Sequence, residues 1–402
     1  MSLGRRQHFL IVLILGVLST VTPLAIDLYL PAFPRIAGDL GGTPADVSLS
    51  VSSYFVGFAL GQIFYGPLLD RYGRRVPLYA GMVLFALASL GCAVAQSVDQ
   101  LVIFRFLQAL GGCSAQVASL AMVRDFFPVD ESAKILSLLL LVISVSPLAA
   151  PTLGSFIAVT FGWQWIFISL AVIALLAIIT SRLFLPPARP PDPEVSLEIR
   201  QIVFNFVTIF REPQFNAYTL SGSFSFAGLL VYVTGSPILF MSGFHVSPAI
   251  YGAIFALLSI GFIGSSQINI LLLRRFKSGP LFRVALNAQV VVSAAFLLTA
   301  IAGAANLVVT VAFLAAFLSC LGLSYPNAAA MALAPFENNA GSASALLGFM
   351  QIGIAASASS CVGLMHAQDG LPTIIILFAT SVVGLGIFTA GNRKPATETV
   401  AS

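Results

Sequence analysis

Asp27 is the side chain best placed to do chemistry: an acid inside a long apolar run, Phe9 to Phe33, that ends Asp27-Leu28-Tyr29-Leu30-Pro31-Ala32. A carboxylate at membrane depth costs a few kcal/mol or more unless it is paired, hydrated or protonated, so such a group marks a functional site by default. At 3.6 residues per turn, Gly16, Thr20, Pro23 and Asp27 share one helical face, and Arg105, Gln108, Gly112, Gln116 and Ser119 share a face of another run. The C-terminal half carries similar stripes, Ser221, Ser225, Gly228 and Tyr232 on one run and Ser344, Gly348 and Gln351 on another. Lipid offers no hydrogen bonds, so polar stripes must face a bundle interior or a hydrated cavity. Thr20, Gln108, Gln116, Ser225, Tyr232 and Gln351 are therefore the candidate cavity residues.

The elements that must hold these residues are membrane helices. Hydrophobic residues make up 58% of the chain and charged residues only 8%, against about 25% charged in an average soluble protein. A span needs roughly 20 apolar residues to cross a hydrocarbon core of about 30 Å. The apolar runs predict twelve spans, at 9–33, 47–69, 77–97, 100–123, 135–158, 163–185, 214–241, 248–273, 280–302, 306–333, 340–364 and 371–391. The expected fold is an all-α membrane protein of twelve helices in two six-helix halves.

Orientation follows from the nineteen Lys and Arg, because positive charge is retained on the cytoplasmic side. Seventeen fall on one side, Arg35 falls in an outside loop and Arg105 lies within a span, which puts both termini in the cytoplasm. The formal charge of +4 is thus a topology signal and gives no reason to expect nucleic acid as a partner. Arg5 and Arg6 precede a run too long for a cleaved secretion signal, which predicts a retained first helix.

The polar, Pro-rich stretch 187–212 predicts a cytoplasmic linker between bundles at 1–186 and 213–402. Asp70-Arg71-Tyr72-Gly73-Arg74-Arg75-Val76-Pro77-Leu78 reappears 203 residues later as Leu273-Arg274-Arg275-Phe276-Lys277-Ser278-Gly279-Pro280-Leu281. A parallel repeat of this kind predicts two related halves with a binding site between them near the midplane. The loops are too short for a catalytic or nucleotide-binding domain, and no phosphate-binding Gly-rich loop occurs, which leaves an ion gradient as the expected energy source. Cys92, Cys113, Cys320 and Cys361 are isolated, and His8, His245 and His366 lie at span ends or in loops. No metal site, cofactor or enzyme activity is expected.

Asp27 and Arg105 fall at similar depths on this topology. The first expectation is that they lie close, Arg105 holding Asp27 ionised until substrate or conformation separates them and the carboxylate takes a proton; the alternative is a static tie between two helices. An opposite charge within about 4–6 Å favours an ionised Asp, and desolvation disfavours it. The fifth span places Ser144, Pro147, Pro151 and Gly154 on one side, either a shaped gating surface between the halves or an ordinary kink. Gly57 and Gly61 form a small-xxx-small pair suited to close packing.

Gly66-Pro67-Leu68-Leu69-Asp70-Arg71-Tyr72-Gly73-Arg74-Arg75 resembles the loop signature of the major facilitator superfamily, in which Gly, Asp, Arg and Gly recur at this spacing. The resemblance implies that Asp70, Arg71 and Arg75, with Gly66, Gly73 and Arg74 in the same motif, form a cytoplasmic charge latch that breaks when the protein changes face. Arg105-Phe106-Leu107-Gln108-Ala109-Leu110-Gly111-Gly112 is similar to a second signature, whose Arg is tied to proton transfer. Ser144-Val145-Ser146-Pro147-Leu148-Ala149-Ala150-Pro151-Thr152-Leu153-Gly154 resembles the antiporter signature, with Ser146 in place of its usual Gly.

With Asp27-Leu28-Tyr29-Leu30-Pro31-Ala32, these segments resemble the drug/proton antiporters of the Bcr/CflA type, which include bicyclomycin, chloramphenicol and florfenicol exporters. The implied protein exports small, partly hydrophobic drugs across the bacterial inner membrane by alternating access. It acts as a monomer whose partners are protons, a small-molecule drug and the lipid bilayer. The residues alone leave open an exporter or symporter of a metabolite such as an amino acid or sugar. They also leave open a different class, a non-transporting receptor or scaffold.

Overall fold

The computed structural model describes residues 5–127, 129–186, 206–336, 340–365 and 370–391, with Pro191. Thirteen helices are named here: α1 (Arg5–Asp27), α2 (Phe33–Asp39), α3 (Pro44–Arg71), α4 (Arg75–Ala93), α5 (Val98–Phe126), α6 (Val129–Thr160), α7 (Gln164–Phe184), α8 (Pro213–Pro237), α9 (Pro248–Leu272), α10 (Ser278–Ile301), α11 (Leu307–Leu333), α12 (Ala340–Leu364) and α13 (Leu371–Gly391). Among the described residues there is no strand. Eleven segments among the described residues are long and apolar enough to cross a membrane, and α6 adds the apolar stretch Val145–Thr160. The fold is therefore the all-α, multi-pass architecture that the apolar runs predict. Most of the expected linker, Glu337, His366 and the Ser144 side chain lie outside the described residues.

Helix starts follow local chemistry. Thr43 and Asp46 form a reciprocal capping box before α3, and Ser97, Ser247 and Asn306 accept backbone N–H groups at the starts of α5, α9 and α11. Pro44, Pro213 and Pro248 occupy first-turn positions, where no intrahelical N–H is needed.

One boundary departs from the sequence expectation. The first apolar run is not a single helix: α1 stops at Asp27, a tight turn covers Leu30–Ala32, and α2 begins at Phe33. Pro31 lacks the N–H that would bond the Asp27 carbonyl, and Pro34 lacks the one for Leu30, so the ladder cannot continue. Asp27 is thus a helix-terminal residue rather than an interior one. Arg35 donates to the Ala158 carbonyl at 2.9 Å and Trp163 to Asp39 Oδ2 at 2.8 Å, which ties α2 to the end of α6 and the start of α7.

Within the first six long helices, α1 packs on α5, α6 and α7, α5 on α3 and α4, and α4 on α7. Within the last six, α8 packs on α11, α12 and α13, α10 on α11 and α13, and α9 on α11. The two sets meet where α3 lies on α12 and α6 on α9. Internal symmetry extends to single bonds. Ser19 joins Ser119 at 2.8 Å between α1 and α5, and Ser225 joins Ser324 at 2.9 Å between α8 and α11.

Candidate functional site

A cavity of about 270 Å³ lies between the two sets of helices. Asp27, Pro23 and Ile26 of α1, Phe55 of α3 and Pro147 of α6 line it on one side. Phe226 and Tyr232 of α8 and Phe255, Ser259 and Phe262 of α9 face them from the other. Tyr232 stacks on Phe255 with ring centroids 5.5 Å apart, and Phe226 lies against Tyr325 at 5.0 Å. Asp27 is the one charged side chain on this wall, and it is only 5% exposed.

The break after Asp27 positions its carboxylate. Helix termini leave carbonyls without intrahelical partners. Here Leu28 N–H still bonds Leu24 O, but the Ala25 carbonyl accepts from Arg105 Nη1 at 2.9 Å. Gly154 of α6 approaches from the other side: a Cβ there would lie 1.7 Å from the Leu28 carbonyl oxygen, so only glycine fits. Asp27 and the antiporter-like motif of α6 are therefore adjacent in space.

Arg105 and Asp27 are not joined by an ion pair or hydrogen bond, which corrects the expected contact. The Arg105 guanidinium is fully buried and donates to Gln108 Oε1 at 2.6 Å, while Gln108 donates to Ser89 at 2.7 Å. Its carbon sits 4.3 Å from the Tyr29 ring centroid and 4.2 Å from that of Tyr54. The reason is helix rotation. Arg105 faces the interior of its own half, whereas Asp27 faces the boundary with the other. Gln108 serves Arg105 rather than a substrate.

Of the other candidate cavity residues, Tyr232 lines this cavity. Ser225 bonds Gln289 at 2.6 Å inside the second half, and Thr20 donates to the Val17 carbonyl at 2.8 Å. Gln116 is half-buried on α5, and Gln351 is buried with its amide nitrogen unpartnered. Pro147 borders the cavity and Pro151 is buried behind it. Gly57 and Gly61 admit α5 closely, since a Cβ would lie 2.5 Å from the Phe106 carbonyl oxygen and 2.7 Å from Cys113 Cβ.

The family model of the Major Facilitator Superfamily matches residues 15–360. The chain belongs to this superfamily. A bicyclomycin resistance protein homolog of Haemophilus influenzae is 30% identical over 97% of this chain and 98% of its own length. Multidrug resistance protein MdtL of Shigella flexneri is 32% identical over 93% of this chain and 94% of its own. Among solved structures, a D-xylose-proton symporter superposes with a TM-score of 0.74 at 16% identity, covering 95% of this chain and 97% of that one. At that identity the likeness establishes the fold alone.

The superfamily loop motif has a definite geometry here. Arg74, not Arg75, holds Asp70, at 2.5 Å, and Arg74 Nε also bonds Asp125 at 2.8 Å. Burial works against the Arg74 charge, but the hydrogen bonds to Asp125 and Asp70 outweigh it and hold its pKa above the ordinary guanidinium value. Arg75 instead donates to the Leu185 carbonyl at 2.6 Å, just past the end of α7. Gly73 has φ +76°, a left-handed conformation that lets the loop turn within three residues. A Cβ on Gly66 would meet nothing within 4 Å, and Arg71 has partners of its own. Asp125, Tyr29, Tyr54 and Phe255 escape a sequence reading. Only Asp125, an acid at the end of the fourth span, carries a visible signal.

Proposed function

We propose that this superfamily member is a proton-coupled exporter of small, partly hydrophobic drugs, working as a monomer in the bacterial cytoplasmic membrane with both termini cytoplasmic. The observation that carries the reading is a single carboxylate, Asp27, on an otherwise apolar and aromatic wall between the two halves. Such a wall suits a hydrophobic drug. A sugar or amino acid would require several convergent hydrogen-bond groups, and Ser259 and Tyr232 are the only neutral polar side chains here. The names of the bicyclomycin-resistance and MdtL relatives support the same substrate class.

Rocking of the halves exposes Asp27 alternately to water and to the closed interior. Desolvation disfavours an ionised carboxylate, so the group carries a proton through the closed state and releases it into water on the cytoplasmic side. One proton moving down 100 mV supplies about 2.3 kcal/mol, nearly two decades of drug concentration at about 1.4 kcal/mol per decade. Arg105 acts through α1, holding the Ala25 carbonyl so that Asp27 stays at the boundary.

The test is uptake into inside-out vesicles under an imposed proton gradient, with a bicyclomycin-like compound, an amphenicol, a sulfonamide and several amino acids. Gradient-dependent movement of a drug by the native chain, lost in Asp27→Asn, is the expected result. Movement of an amino acid alone overturns the cargo, and concentration of drug by the variant removes Asp27 from the coupling.

A further inference from the structure

The end of the bundle that carries the repeated basic loop holds a second cavity, of about 250 Å³, between the first turns of α10 and the last turn of α13. Arg283, Asn287, Leu385, Phe388 and Thr389 line it. We propose that this groove binds the headgroup of an anionic phospholipid, of the kind whose headgroup also carries hydroxyls.

Charge is the first argument. Arg283 forms no ion pair among the described residues, and its guanidinium carbon lies 5.7 Å from the Phe388 ring centroid. Phe388 is itself fixed, by Phe282 at 5.1 Å and Tyr218 at 5.5 Å, so the cation is aimed by a rigid ring. Lys277 immediately precedes α10, and Arg274 and Arg275 lie in the same loop. Between 213 and 391 the sequence has only two acids, Glu337 and Asp369. The contrast with the first half is direct: there Arg74 meets Asp70 and Asp125, whereas the repeat keeps its cations and has Leu273 where Asp70 stands. A lipid phosphate supplies the anion that the repeat lost. Basic pockets between membrane helices at this level are suited to anionic headgroups.

Geometry is the second argument. The groove lies at helix ends, and beside and beyond it both helices expose apolar side chains: Val284 and Val291 on α10, Val382 and Val383 on α13. Acyl chains have a surface to follow. Asn287 Nδ2 donates to the Arg283 carbonyl at 2.7 Å and Thr389 Oγ1 to that of Gly386 at 2.9 Å, which leaves Asn287 Oδ1 and Thr389 Oγ1 to accept from headgroup hydroxyls.

The experiment is native mass spectrometry of the full chain released from micelles containing phosphatidylglycerol and phosphatidylcholine. The native protein is expected to keep one phosphatidylglycerol, with occupancy falling about fivefold in Arg283→Gln, the loss of one cation near the surface. Arg211→Gln, at the same end but outside the groove, is expected to retain it. Thr389→Trp, which fills the groove and keeps every charge, is expected to release it. Equal retention by Arg283→Gln or by Thr389→Trp overturns the site. So does equal loss from Arg211→Gln, which marks diffuse attraction. Equal retention of phosphatidylcholine, or displacement by millimolar inorganic phosphate, overturns the assignment to an anionic lipid.

Discussion

Arg105 is buried with no acid bonded to its guanidinium. A guanidinium at the centre of a membrane helix costs at least about 2.5–3.5 kcal/mol. Its hydrogen bonds to Ala25 and Gln108 contribute about 1.5–3 kcal/mol each, and each desolvated aromatic face about 2 more. Its Nε and Nη2 are buried without a hydrogen-bond partner, so the two aromatic faces carry much of the compensation, and no acid bonds the guanidinium. Arg105→Lys keeps the charge but loses the flat guanidinium that lies between two rings while its Nη1 serves two acceptors. It is expected to lower the thermal midpoint in detergent and to slow drug export, with gradient dependence retained. Native-like stability and rate would mean that charge alone matters at this position. Asp27 and Arg105 are both conspicuous in the sequence, because a charge in an apolar run has few structural excuses. Their relation is not legible there: depth can be read from span order, but the rotation that turns Arg105 inward and Asp27 toward the other half is set by packing.

At the scale of elements, the decisive feature is the broken end of α1 and the helix that presses on it. The apolar run reads straight through Pro31 and Pro34, so a span is legible and its break is not, although the two missing N–H groups are the cause. The loop motif is legible as a motif, yet the choice of Arg74 over Arg75 depends on where Asp125 at the end of α5 comes to rest. Gly154 offers a clean test of the α1 and α6 contact. An added methyl would overlap the Leu28 carbonyl, and overpacking of this kind costs about 1–3 kcal/mol. Gly154→Ala is therefore expected to abolish or strongly reduce transport by displacing the segment that follows Asp27. Gly264→Ala on α9 meets nothing within 4 Å and is expected to be neutral, or stabilising by about 0.5–1 kcal/mol. The comparison is made by vesicle transport and thermal unfolding together. Equal activity in the two variants would show that α6 does not position the carboxylate.

For the whole molecule, the two boundaries between the halves are tight at the end opposite the chain termini. Ser52 of α3 meets Ser359 of α12 at 3.1 Å, both buried, and a Cβ on Gly363 would lie 2.8 Å from Ser48 Oγ. On the other boundary a Cβ on Gly252 of α9 would lie 3.3 Å from the Thr152 backbone of α6. The matching serine pairs at Ser19 and Ser119 and at Ser225 and Ser324 brace the interior of each half, so the rocking proposed above would fall at the boundary between them. The proposed alternating access requires Ser52 and Ser359 to part once in every cycle. With exposed Cys361 replaced by Ser, the pair Ser52→Cys and Ser359→Cys is expected to cross-link under mild oxidant, to stop drug export, and to recover it on reduction. Each single cysteine should transport before and after oxidant. Full turnover by the cross-linked protein would place the outward opening elsewhere and require the halves to move about a different contact.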